Sequence, residues 1–245
     1  MPDAIKMRIH QDLVNYKTPT SFQLRESYPL PPYSTVIGMV HNACGYDSYV
    51  PMAVSVQGTH RSRVNNYQTG YFFKNAHSYE KERHQICLEI QENGKKFGIT
   101  RSTFNVELLT DVELVLHIKP EDPARFQEIY EGLARPAEYI SLGRREDIAR
   151  IDSIAIVQVE EAEEEEERAL PYDAYIPVEF RESGSYGGTI YDLNVKYTVD
   201  KAGFRRWDKQ KVFFAPRQSA TVHAEEPYLR DSEGDIVFWT DKGIS

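Results

Sequence analysis

Ile5, Met7 and Ile9 alternate with Lys6, Arg8 and His10. A period of two predicts a strand with one buried face. An irregular stretch follows over residues 15–32, ending in Pro29, Pro31 and Pro32. Proline fixes φ and keeps the residue before it out of the helical region, so this approach reads as extended. The pattern then changes to helical spacing. Val36, Ile37, Val40 and Ala43 form one apolar stripe over residues 33–44, behind Ser34 and Thr35, and Gly45 is a natural stop. Residues 51–56 read as a second strand and residues 112–118 as a third. Asp122 followed by Pro123 is a cap and a first-turn proline. Phe126, Ile129, Tyr130 and Leu133 mark a second amphipathic helix, and residues 151–159 carry a fourth strand with Ile154, Ile156 and Val157 apolar.

The order is strand, helix, strand, insertion, strand, helix, strand. It predicts an α+β protein with a ferredoxin-like (RRM-like) βαββαβ core. Residues 60–109 are the insertion, between the second and third strands. Asn93-Gly94 lies between CLEI and KKFGIT there, the signal for a tight hairpin turn. The core with its arm is expected over residues 1–159. Residues 160–168 read as an acidic linker or loop. Residues 169–245 read as a β-rich extension, with short strands near 175–180, 189–199, 210–215 and 236–240 and a turn cluster at 184–188.

Charge changes the picture in one respect. The chain has 245 residues and a net charge of −9, which looks hostile to nucleic acid. Seven glutamates within residues 160–167 account for most of it. They fit a solvated spacer, or a device that repels non-cognate nucleic acid. Residues 1–79 carry seven Lys/Arg against four Asp/Glu, and eight of the sixteen tyrosines. Cys44 and Cys87 have no metal-ligand spacing and fit free thiols in a reducing compartment. No apolar run approaches the roughly 20 residues of a membrane span, and no secretory leader is apparent, so a soluble cytoplasmic protein is expected.

Three segments carry candidate chemistry. In residues 27–45 a helix start near Lys17 and Arg25 fits a phosphate seat, with Tyr28 and Tyr33 available for stacking. Read from the residues alone, it fits better a bend that directs a core helix. In the arm, His60, Arg61 and Arg63 interleave with Tyr67, Tyr71, Phe72 and Phe73, and Lys95, Lys96 and Arg101 follow. Cations and flat faces together suit single-stranded nucleic acid. A half-buried edge with solvated arginines is the alternative. Residues 141–147 are a glycine loop with paired arginines, Gly143, Arg144 and Arg145. They fit a phosphate clamp or a surface turn with Arg–Glu pairs. Enzyme motifs are absent: no GxSxG, phosphate-binding P-loop, HExxH or GxGxxG occurs, and the histidines lack ligand spacing. Neither a metal nor a cofactor is expected. Metal-independent RNA cleavage needs only a base and an acid, for which His41, Tyr46 and His117 are the candidates.

NYKTPTSFQLRESYPLPPYSTVIGMVHNACG (15–45) and EYISLGRREDIARID (138–152) together resemble CRISPR-associated protein family five of the RAMP superfamily, in the subgroup of type I-B systems. The resemblance implies a subunit of the crRNA-guided surveillance complex Cascade that grips the crRNA 5′ handle and caps the backbone. It implies contacts with a backbone subunit of family seven and a large subunit of family eight, target DNA met through the complex, and no membrane. The handle surface would map to Lys17, Thr18, Arg25, Tyr33, Ser34, His41, Asn42, Gly143, Arg144 and Arg145. The arm would be a thumb folded over RNA, and Arg61, Arg63, Lys95 and Arg101 are assigned there by charge and topology. One branch of the family, in type I-C systems, cleaves precursor RNA without metal through a Tyr, a Lys and a His. The adjacent Lys–His order of that branch is absent here; His117-Ile118-Lys119 stands instead. The resemblance thus implies an RNA-binding scaffold, with a metal-independent endoribonuclease as the alternative and a purely protein-binding scaffold as a third reading.

Overall fold

The computed structural model describes residues 3–21, 24–73, 78–91, 94–163 and 165–240. Strand β1 (Asp3–Val14) lies between β5 (Lys96–Pro120) and β6 (Arg150–Ala162), and β2 (Met52–Thr59) borders β5 on its other side. All three pairings are antiparallel. Helix α1 (Tyr33–Cys44) connects β1 to β2, and α2 (Phe126–Ala134) connects β5 to β6. Asp122 caps a short 3-10 turn before α2, its Oδ1 accepting from the Ala124 N–H at 3.0 Å. Ile5, Met7 and Ile9 of β1 share one buried cluster with Val36, Ile37 and Val40 of α1 and Ile129 and Leu133 of α2. Both helices therefore cover the same face.

The opposite face is covered as well, which the alternation of β1 alone does not reveal. Ala4, Ala53, Val157 and Val159 pack against Val237 and Trp239 from the C-terminal segment. Lys6 is consequently buried rather than solvent-facing. The C-terminal third joins the main sheet at both edges. On the β2 side, β8 (Asp173–Pro177), β11 (Arg205–Ala215) and β10 (Thr189–Val199) continue it; on the β6 side, β13 (Tyr228–Asp231) and β14 (Ile236–Val237) do. Tyr175, Leu193 and Val212 belong to the same cluster as α1. Residues 184–186, expected as a turn, form β9 (Gly184–Tyr186), because Tyr186 is drawn into a second buried cluster. β9 pairs with β12 (Ala220–Val222), which also pairs with β7 (Arg168–Ala169). The acidic run begins inside β6: Glu160 and Glu161 pair with Arg230 and Leu229 of β13.

The arm is built from β3 (Ser62–Phe72), β4 (Ile86–Glu89) and the first half of β5. β3 pairs with β5 from Ser62↔Thr110 to Phe72↔Thr100, and β4 pairs with it from Ile86↔Ile99 to Glu89↔Lys96. The returning limb and the third core strand, read as separate from the sequence, are one strand of 25 residues. Asp111, with φ 55, bends it without ending it. Asp is among the residues that tolerate this region best. Asn93 lies outside the described residues. Gly94 next to it has φ 64, and its N–H donates to the Ile90 carbonyl at 2.9 Å.

Candidate nucleic-acid interface

Residues 15–45 and 138–152, far apart in the chain, meet across one open cleft of about 810 Å³. Thr35, Gly38 and Asn42 line it from α1; Tyr139, Gly143 and Arg145 line it from the loop before β6. Asp147 shapes that loop from within. Its carboxylate accepts from the backbone N–H groups of Asn15 (3.1 Å) and Arg144 (2.8 Å). It also holds the Arg144 guanidinium through Nε and Nη2 at 2.7–3.2 Å. Gln11 supports the loop from β1, donating to the Leu142 carbonyl at 2.8 Å. Gly143 has φ 117, and a Cβ there would stand 2.8 Å from Val14 Cγ2 and 2.9 Å from Asp147 Oδ2. Both the backbone angle and the space require glycine.

This geometry separates the paired arginines. Arg144 is committed to Asp147 and Glu146, the latter at 3.0 Å, and is a strut of the loop rather than a clamp. Arg145 is exposed and, among the described residues, has no ion pair. It is the arginine of the pair that stands open on the cleft wall. Tyr139 beside it is 89% exposed and offers an open ring.

The helix start is not an open phosphate seat. Pro31, Pro32 and Tyr33 are buried, and Tyr33 packs edge-on against Tyr175 with ring centres 6.0 Å apart. Pro32 caps the helix, and the flank of α1 faces outward instead. Tyr33 is thus a core residue, its phenol pushed far up by burial. Ser34 and His41 lie on the other side of α1, along a second groove. His41 is half-buried there, with Nε2 3.3 Å from the Val50 N–H nitrogen and 3.4 Å from its carbonyl oxygen.

The remaining expected contacts are dispersed. Lys17 is exposed on a bridge to Ser27, and Thr18 beside it is half-buried. Arg25 lies 3.5 Å above the Phe104 ring of the arm, with its backbone at φ 41. Its carbonyl accepts from Asn15 Nδ2 at 2.8 Å, and Asn15 Nδ2 also donates to the Glu107 carbonyl at 2.7 Å. The root of the arm is tied by these contacts to the segment before the helix. Arg61 and Arg63 pair with Asp111 (3.7 Å) and Glu107 (3.1 Å), Lys95 stands 5.5 Å over Phe97, and Arg101 is exposed. Tyr67, Tyr71, Phe72 and Phe73 are all exposed on the arm. His117 is fully buried on the sheet face opposite α1, with Nε2 2.9 Å from Asp231.

A solved chain described as "CRISPR RNA-guided surveillance complex" has a similar fold, with a TM-score of 0.54 at 17% identity over 91% of each chain. Looser likenesses are to a chain of the Type III-B Cmr-beta complex bound to target RNA (TM-score 0.42, 8% identity, 89% of this chain and 86% of that one) and to a CRISPR protein from Archaeoglobus fulgidus (0.41, 12%, 96% and 97%). The chain has no significant match among curated proteins. Residues 4–224 match the family described as CRISPR-associated protein (Cas_Cas5), and the chain belongs to that family. Among the described residues no helix is long and apolar enough to cross a membrane.

Proposed function

We propose that the chain is a non-catalytic, cytoplasmic crRNA-binding subunit of a type I surveillance complex of the I-B kind, holding the crRNA 5′ handle and capping the backbone. The observation that carries this reading is the meeting of residues 15–45 and 138–152 around one cleft, with Asn42, Gly143, Tyr139 and Arg145 on its walls. An exposed arginine and an exposed ring on one wall suit a phosphate and an unstacked base. The strand order β6-β1-β5-β2 with two helices on one face supports the ferredoxin-like reading of the core. The arm of β3, β4 and β5 then serves as the thumb, with its exposed aromatics toward RNA and the family-seven subunit. The family-eight subunit and target DNA are met within the assembled complex.

The endoribonuclease alternative draws less support. His117 is enclosed, and the Tyr46 phenol is pushed up to about 12, first by burial and then by Cys44 and Glu128. A general base works best with a pKa near the operating pH. The test is anisotropy of the full chain with repeat-derived crRNA, with and without its 5′ handle, in EDTA, followed by a gel of RNA length. Affinity at least about tenfold higher for the handle-bearing RNA, with RNA length unchanged, is expected. Equal affinities overturn the handle reading, and shortened RNA establishes the nuclease.

A further inference from the structure

The groove on the other side of α1 is a different surface. It measures about 460 Å³ and lies between α1, the loop at residues 46–49 and the β10–β11 hairpin. Gly38 borders both it and the first cleft, so the helix separates them. Tyr197 and Trp207 are directly opposed in the β10–β11 register, with ring centres 5.0 Å apart. Tyr49 faces the same groove, 5.8 Å from His41. Tyr49 and Tyr197 are 40% and 41% exposed. Cations stand over these rings: Lys196 Nζ is 5.9 Å from Tyr49, and Arg205 Cζ is 4.4 Å from Tyr197.

The backbone contributes to this arrangement. Neighbours on a regular strand point to opposite faces, yet Lys196 and Tyr197 both line the groove. The register shifts between Asn194 and Lys196, and such a bulge re-aims side chains. Residues 189–215 hold six Lys/Arg against three Asp, in a chain of net charge −9. A protein partner would favour a continuous apolar patch. Rings interleaved with cations instead match bases and phosphates. The volume suits about one nucleotide.

We infer that this groove is a second nucleic-acid site, which stacks an unpaired base of single-stranded RNA or DNA on Tyr197, Trp207 and Tyr49 and holds flanking phosphate with Lys196 and Arg205. It goes beyond the handle cleft and does not depend on it. The chain has two tryptophans, and Trp239 is buried at 2% exposure, so the half-buried Trp207 reports on the groove. The experiment titrates the full chain with pentamers of uridylate and of thymidylate and follows tryptophan fluorescence. Saturable quenching is expected. Tyr197→Ala and Lys196→Ala should each raise its midpoint about tenfold, while Arg145→Ala leaves it within about twofold. Lys196 is a half-exposed side chain whose ion pair with exposed Asp208, at 3.8 Å, is a surface contact that phosphate can displace, so its truncation does not threaten the fold. Quenching by uridylate alone assigns the site to RNA, by thymidylate alone to DNA, and by both to either strand. Absent quenching, quenching indifferent to both groove variants, or quenching removed by Arg145→Ala would each overturn the inference. Failure of handle recognition leaves these titrations unaffected, so the two outcomes are distinguishable.

Discussion

Asp147→Ala should lower the stability of the protein by about 3–5 kcal/mol, the cost of breaking a buried charge pair by removing one partner. The Asp147 side chain is 1% exposed and the Arg144 side chain 19%. Without the carboxylate, the Arg144 guanidinium keeps only the exposed Glu146, and the N–H groups of Asn15 and Arg144 lose their acceptor. An orphaned, buried donor costs about 1–3 kcal/mol, which forms part of that loss. Thermal melting should fall by about 10 °C for a chain of this size. Asp147→Asn should fall between, because it keeps the volume and one acceptor oxygen. A loss below about 1 kcal/mol in Asp147→Ala would show that the loop does not depend on this carboxylate. Arg144→Ala should also destabilise, so weaker RNA binding in that variant alone says nothing about a phosphate contact.

The second large effect lies on the opposite sheet face. Lys6 Nζ is 2.6 Å from Asp231, 2.8 Å from Glu233 and 2.6 Å from Asp235. Three converging carboxylates resemble a cation site, but the Lys6 ammonium occupies their centre. Asp231 further accepts from the N–H groups of Glu233 (2.9 Å) and Asp235 (2.8 Å) and from His117. Lys6→Met should therefore cost about 3–5 kcal/mol, leaving the carboxylates to repel one another.

The same network sets a pH dependence. Burial opposes the charge on Asp231, but hydrogen bonds from His117, Lys6 and the backbone hold its carboxyl well below the usual carboxylate range. A depressed carboxylate contributes stability above its unfolded value of about 3.9 and loses it as pH falls. Burial lowers His117 below 6.5, against the pull of Asp231. Its Nδ1 is buried without a hydrogen-bond partner among the described residues, so a protonated ring would bury an unpaired donor. As pH falls through about 6.5 the unfolded chain takes up this proton first, and stability declines. Burial opposes the charge on Lys6, yet its three carboxylates raise its pKa above 10.5. Its contribution therefore persists through neutral pH and is lost only in strong alkali. The urea midpoint should be lower at pH 5 than at pH 7.5, and His117→Gln should flatten that difference. A flat wild-type profile from pH 7.5 to 5 would contradict the neutral, buried ring.

Much of this was legible in the chain. The alternation in β1, the stripe on α1 with Gly45 after it, and Asp122-Pro123 before α2 all depend on local periodicity or capping. The family resemblance rests on the two segments that the fold brings to one cleft. The failures share a cause: each concerns a second layer that a local pattern does not contain. Lys6 and Arg8 alternate as solvent-facing residues do, until the C-terminal segment covers that face. Tyr33 follows the prolines as an open ring would, until Tyr175 packs against it. Arg144 and Arg145 are equivalent in the sequence, and only the turn that folds Asp147 back beneath the loop distinguishes them. The groove at Tyr197 and Trp207 carries no motif. The excess of Lys/Arg over Asp in residues 189–215 was its only readable trace.

The most direct test of the proposed handle site is the affinity of Arg145→Ala for handle-bearing crRNA across a salt series. Arg145 is exposed and lines the cleft, so its truncation leaves the fold intact. Binding should weaken by about tenfold, and the slope of log K against log salt should fall by about one, the loss of one phosphate contact. An unchanged affinity with an unchanged slope would contradict the proposed handle site.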